Sequence, residues 1–182
     1  MSVSATESAI DVAYWFFGRA EKDGIFLDDE KMFHLLFIAQ LNYARRYERE
    51  VLVPSFFVCD EDGFSEPNLK KMFSLGRPYM PPVKLSDKVC AFLEAIWKQY
   101  AQMTTAAFSS LIKNSSAYKE CYRNGEKRLV AVDDILDKFT LPRPSESSGE
   151  NKKIRISQNG PVMVSRWNPR KLESSEQRTK NK

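Results

Sequence analysis

The apolar residues of this chain change their period along its length, and the changes mark its elements. Ile10, Ala13, Tyr14, Phe17 and Ala20 recur at three- and four-residue intervals, which predicts one face of a helix running from a Thr6 cap to about Lys22. Trp15 and Phe16 widen that face, so the helix is expected to be covered on more than one side. Asp23-Gly24 ends it, because glycine enters the left-handed C-cap conformation at little cost. After the extended piece Ile25-Phe26-Leu27, Asp28 or Asp29 caps a second helix from about Glu30 to Arg49. Met32, Phe33, Leu35, Leu36, Phe37, Ala39, Tyr43, Ala44 and Tyr47 make it the strongest core segment of the chain. Arg45, Arg46 and Arg49 suit the negative end of its dipole.

The period then shortens. Val51-Leu52-Val53 and Phe56-Phe57-Val58-Cys59 read as short β runs, interrupted by Pro54 and closed by the turn Asp60-Glu61-Asp62-Gly63. They predict a small hairpin or extended edge against the helices. Glu66 to Phe73 reads as a short helix with Pro67 at its first position, followed by a loop containing Pro78, Pro81 and Pro82. Ser86 caps a helix from Asp87 to about Gln102, striped by Val89, Phe92, Leu93, Ile96, Trp97 and Tyr100, and Thr104 caps a shorter one through Lys113. A further turn over Tyr118 to Arg123 and a closing helix over Asp134 to Phe139 complete the domain. Leu141 to Lys152, with Pro142, Pro144 and Gly149, has linker composition. Beyond it, Lys153 to Ser157 alternates polar and apolar, Asn159-Gly160 is a turn signal, and Val162 and Val164 form a return strand, which predicts a hairpin within 153–167. The fold class read here is mainly α: a compact helical domain of about six helices over 1–140 with a small β-hairpin or extended edge, a linker over 141–152, and a basic C-terminal tail over 153–182.

Composition sharpens the class. The 182 residues are 42% hydrophobic and 12% aromatic, enough to build a core. The net charge of +4 is unevenly spread. Residues 151–182 hold nine basic and two acidic side chains, so the basic character belongs to the tail, while the first 150 residues are net acidic. Such an arm either solubilises or binds an acidic partner. No apolar stretch approaches the roughly 18–20 residues of a membrane span, and the first ten residues lack a basic cluster followed by an apolar run. A cytoplasmic protein without membrane contact is the expectation.

Reactive chemistry is sparse. Cys59, Cys90 and Cys121 stand about thirty residues apart, which suits neither a disulfide framework nor a zinc site; they read as small apolar residues. His34 is the single histidine and reads as structural. The acid pairs Asp28-Asp29 and Asp133-Asp134 fall where helices start and read as caps, and Asp60 to Gly63 lacks the further ligand positions of a calcium loop. Neither a glycine-rich phosphate loop nor a GxSxG, HExxH or CxxC pattern occurs. No catalytic, cofactor-binding or metal-ligating residue is assigned, and the expected class is a non-enzyme acting by recognition.

One resemblance gives that class a form. Lys31-Met32-Phe33-His34-Leu35-Leu36-Phe37-Ile38-Ala39-Gln40 resembles the "KLxKLLYFAQ" helix of the Panacea domain family, also called SocA-like or phage-associated GepA-like. Tyr43, Tyr47, Leu52, Pro54 and Phe56, then Pro67 and Leu69, follow in that family's order, and the segments Leu85 to Tyr100, Thr105 to Leu111 and Leu129 to Phe139 are similar to its later helices. The resemblance covers residues 8–139. It departs at Asp62 to Pro67, longer and more acidic than the family's "YGP", and at Ala117-Tyr118, where the family has "PW". It implies a mostly helical antitoxin that neutralises a cognate protein toxin encoded beside it, often on mobile elements, without cofactor or catalytic residue. A second reading is an adaptor that delivers a toxin or client to an energy-dependent protease. A third is nucleic-acid binding through the basic tail. Phe64, Tyr79, Met80 and Tyr118 are the residues core packing explains least; placed in loops, they are the candidate partner contacts of the domain. Arg155, Arg166, Trp167 and Arg170 are the candidate contacts of the tail, since Arg and Trp are enriched in binding hot spots.

Overall fold

A computed structural model of the chain describes residues 4–48, 50–81, 84–123, 125–132, 136, 153–157 and 160–164. The chain divides into two compact units, Met1–Leu141 and Pro142–Lys182. In the first, the described residues form α1 (Ala9–Asp23), α2 (Asp29–Arg46), β1 (Phe57–Asp60), β2 (Gly63–Ser65), α3 (Pro67–Phe73), α4 (Asp87–Tyr100), α5 (Thr105–Lys113), α6 (Ser116–Cys121) and β3 (Arg128–Val130). The second contains β4 (Lys153–Ser157) and β5 (Gly160–Val164).

The first unit is built around α2. Every residue from Lys31 to Leu41 is buried, because α1, α4, α5 and β2 pack around the helix. Asp28 caps it, accepting from the Lys31 N–H at 2.8 Å. It ends at Arg46, three residues before the expected Arg49, as Tyr47 leaves helical geometry. A helix enclosed this way must satisfy its polar side chains internally. Lys31 Nζ donates to the Ala101 carbonyl at 2.7 Å. Gln40 Oε1 accepts from the backbone N–H groups of Leu52 and Val53 at 3.0 and 2.9 Å. Leu52 and Val53 thus direct their donors to a side chain, while the carbonyls of Val51 and Leu52 accept from Ala5 and Thr6. Val51 to Val53, β-type by sequence, makes only an isolated parallel bridge to Ser4, and β1 starts at Phe57.

The helix ends follow local chemistry, with one correction. Ser8, not Thr6, caps α1, accepting from Ile10 N–H at 3.2 Å. Thr6 is buried and its hydroxyl donates to the Leu52 carbonyl at 2.8 Å, anchoring the N-terminal segment beside the 51–53 stretch. Gly24 closes α1 at φ 65°, its N–H reaching the Ala20 and Glu21 carbonyls. Ser86, Thr104 and Ser115 cap α4, α5 and α6. Glu66 caps α3, accepting from Leu69 N–H at 2.6 Å ahead of Pro67.

The sheet is antiparallel with order β2-β1-β3. In β1–β2, Asp60 pairs with Gly63, and in β1–β3, Cys59 pairs with Arg128. The family resemblance implies that 129 and 130 belong to its closing helix, whereas residues 128–130 form a strand. Its Val130 is buried, while Leu129 is 64% exposed. The closing helix over Asp134 to Phe139 lies outside the described residues except Leu136, which is buried and whose carbonyl accepts from Arg45 Nη2 at 2.7 Å. The linker 141–152 also lies outside them.

Two candidate contact residues belong to the core. Phe64 is 1% exposed in β2 and stacks on Phe37 at 4.0 Å between centroids. Tyr118 is 8% exposed on α6, edge-on to Phe64, and its hydroxyl donates to the Asp60 carbonyl at 2.9 Å. Both lie where hairpin and helices meet, so their apolar surface is already covered and neither offers a docking surface.

In the second unit, β4 and β5 pair antiparallel, with Arg155 opposite Val162 and Ser157 opposite Gly160. Gly160 is therefore the first strand residue rather than part of the turn. Arg166, Trp167 and Arg170 lie outside the described residues.

Two polar groups in the buried stretch of α2 make no hydrogen bond: Gln40 Nε2 and the ring of His34. His34 is 1% exposed, and its ring is edge-on to Phe108. Burial, reinforced by the Lys113 charge and opposed by the Phe64 backbone, Asp28 and Asp62, pushes its pKa down to about 4. The hairpin approaches this ring closely. A Cβ at Gly63, whose φ is 128°, would stand 2.7 Å from His34 Cε1. Two tests follow. Gly63→Ala combines left-handed strain with overpacking and is expected to lower unfolding free energy by roughly 2–4 kcal/mol, read by urea denaturation. The second concerns pH. The unfolded state binds a proton at His34 near pH 6.5 and the folded state only near 4, so His34 supports full stability above the first value and loses it as pH falls toward the second. Its contribution should be about 2 kcal/mol smaller at pH 5 than at pH 7.5, and His34→Leu should remove that part of the slope.

A candidate protein-binding groove on the first helix

Helix α1 is apolar on two faces. Val12, Ala13, Phe16 and Ala20 are buried and face the core. Ile10, Tyr14 and Phe17, at i, i+4 and i+7, are only half-buried. The stripe expected from sequence is therefore divided, with Ala13 and Ala20 in the core and the larger side chains on the other face.

That second face lines a groove of about 880 Å³, whose opposite wall holds Ile25, Phe26, Leu27, Met80 and Pro81. Aromatic rings support it from below. Tyr14, Phe17 and Phe73 meet edge to face at 5.8–6.3 Å, and Phe33 stacks under Phe73 at 6.1 Å. The mixed wall is held by a clamp at Arg77. Its guanidinium lies 3.9 Å from the Phe17 ring centroid, its Nε donates to Asp29 at 2.8 Å, and its Nη2 donates to the Leu27 carbonyl at 3.1 Å. One residue on, the Pro78 carbonyl accepts from the Tyr14 hydroxyl. Burial raises the pKa of that phenol, opposed by Arg77, so it remains a donor at neutral pH. The loop after α3 is thus fixed to α1 and to the 25–29 segment without regular secondary structure.

At the C-terminal end of α1, Arg19 pairs with Asp23 and, through Nε at 2.7 Å, with Glu94. Trp97 Nε1 also donates to Asp23 at 2.8 Å; this bond first, then Arg19, holds the Asp23 carboxyl below its usual range. These pairs fix α4 against α1 and occupy the Arg19 guanidinium.

Around this frame large apolar side chains stand in solvent. Phe26 is 85% exposed, Leu75 87% and Tyr79 93%. Of the candidate contacts, Met80 lines the groove and Tyr79 is its exposed neighbour. Phe64 and Tyr118 are not part of it. Phe26 was missed by sequence reasoning, although Ile25-Phe26-Leu27 carried a signal. In an extended piece alternate side chains oppose each other, and Leu27 is buried, which turns Phe26 outward.

Among the described residues no group of three His, Cys, Asp or Glu side chains could hold a metal ion, and no helix is long and apolar enough to cross a membrane. Compared with family models, curated proteins and solved structures, the chain gives no match.

The clamp is testable by itself. Arg77→Ala removes an ion pair, a bond to a carbonyl and a ring contact, all at a partly exposed site. Amide exchange over residues 74–81 should accelerate while global stability changes by less than about 1 kcal/mol. Arg77→Lys should restore little, because one ammonium cannot make the fork and the ring contact together.

Proposed function

We propose that this protein is a binding module of the antitoxin type, which neutralises a partner toxin by direct protein–protein contact. The observation that carries the reading is the preformed groove on α1, with Phe26 and Tyr79 exposed at its border. Exposed aromatic rings around a rigid concavity are costly to keep in water and are the side chains that dominate interface energetics once covered. Ordering costs are small, because Arg77 and Tyr14 already hold the loop wall in place. The motif order over residues 8–139 supports the same reading through its resemblance to Panacea-type antitoxins. Neutralisation then follows mass action: binding to the folded toxin withdraws it from its target in proportion to antitoxin excess over the dissociation constant.

A second reading, nucleic-acid binding, is favoured by the nine basic and two acidic side chains of residues 151–182. It requires affinity for promoter DNA that falls steeply with salt.

The decisive experiment is co-expression with the adjacent reading frame. Induction of the neighbour alone should arrest growth, and co-induction of this chain should restore it, with the two proteins co-purifying. A harmless neighbour, or arrest without rescue, would overturn the antitoxin reading.

A further inference from the structure

We propose that the α1 groove is the seat of a basic amphipathic helix of about three turns contributed by the partner protein, with its cation placed beside Asp11. The inference rests on the protein-binding reading above and specifies the partner's chemistry.

The length comes from the wall. The groove follows α1 from Ile10 to Lys22, roughly 18 Å at 1.5 Å per residue, or a little over three helical turns. The preference for a helix comes from spacing. Ile10, Tyr14 and Phe17 form an apolar stripe at i, i+4 and i+7, the pattern with which a helix face packs on another helix. The opposite wall, 77–81 and 25–27, contains no strand whose edge an extended peptide could extend.

The charge comes from accounting for each ionic group in the lining. Arg19 is taken by Asp23 and Glu94, Glu94 by Arg19 and Lys98, and Arg77 by Asp29 and the Leu27 carbonyl. Glu21 and Lys22, opposite in sign, are both exposed at the C-terminal end of the lining and make no ion pair among the described residues. Asp11 remains, half-buried in the wall, with Glu7 four residues earlier and no cation on either among the described residues. Position in the first turn of a helix normally favours a carboxylate. Here burial, and then the Glu7 charge, outweigh it and raise the Asp11 pKa. The groove therefore has an apolar centre and one half-buried carboxylate, Asp11, with no cation on it among the described residues.

Two designed 18-residue amphipathic helices test this with the full chain. They share one Leu/Trp stripe and differ only in polar positions, Lys in one and Glu in the other, and binding is followed by fluorescence anisotropy. The Lys helix should bind at least about tenfold more tightly than the Glu helix. Asp11→Arg should abolish that preference, Phe26→Ser should weaken both peptides, and the exposed control Glu61→Arg should change neither. Equal binding of the two helices would show that the apolar stripe alone decides, and an equal effect of Glu61→Arg and Asp11→Arg would show attraction to the acidic domain at large; either result overturns the assignment. The same variants separate this inference from its premise. If the neighbouring toxin is neutralised by the native chain and equally by Asp11→Arg and Phe26→Ser, the antitoxin reading stands and the groove assignment falls. If the peptides discriminate as expected while the neighbour is harmless, the groove assignment stands and the antitoxin reading falls.

Discussion

The fold depends on enclosing one helix. From Lys31 to Leu41 helix α2 has no outward face, so hydrophobic burial and polar satisfaction must both be solved on it. Apolar residues around its whole circumference require neighbours on every side, supplied by α1, α4, α5 and the hairpin. Polar residues at such positions are costly unless they find partners, and two of the three carry long-range order because they do. Gln40 fixes the 52–53 backbone, and Lys31 fixes the end of α4 through Ala101. His34 finds none; it remains neutral under the hairpin and makes the junction of α2 with Gly63 both tight and sensitive to acid.

The groove is a by-product of the same construction. With Val12, Ala13 and Phe16 turned to α2, the large residues of α1 at positions 10, 14 and 17 face the other way. Among the described residues no regular element covers them fully. A proline-containing loop, clamped by Arg77, forms the second wall. Rigidity there comes from a guanidinium shared between a ring, a carboxylate and a carbonyl, an arrangement that planar, always-charged arginine makes and lysine does not. The result is a concavity between well-packed elements whose border side chains remain in solvent, which is the physical basis for reading the protein as a binder.

The corrections share one cause. No helical stripe accounts for Phe64 and Tyr118 in the sequence, which points to the surface, yet each is buried where the hairpin packs on α2 and α6. Their burial depends on contacts between segments more than fifty residues apart, such as the Tyr118 hydroxyl on the Asp60 carbonyl. Thr6 was a plausible cap by residue type, but its hydroxyl is drawn to Leu52, so Ser8 takes the cap. Tyr79 and Met80, singled out by the same reasoning as Phe64, fall at the groove because proline prevents their loop from joining a helix or strand.

Sequence alone determined helices α1 to α5, the caps of α2, α4 and α5, and the uneven spread of charge between residues 1–150 and 151–182, because these depend on local periodicity, capping chemistry and charge count. A small hairpin or extended edge was legible near residues 51–63, but not its strands: both β runs read from sequence precede the glycine turn, whereas β1 pairs with Gly63–Ser65 after it. Tertiary structure decided which face of α1 meets the core, that Gln40 rather than a strand holds residues 52–53, that residues 128–130 form a third strand, and that Phe26 and Arg77 belong to one groove. Each of those outcomes compares a local preference with a contact made far away in the chain, and the distant contact wins when it covers more apolar surface or satisfies a buried donor that would otherwise have none.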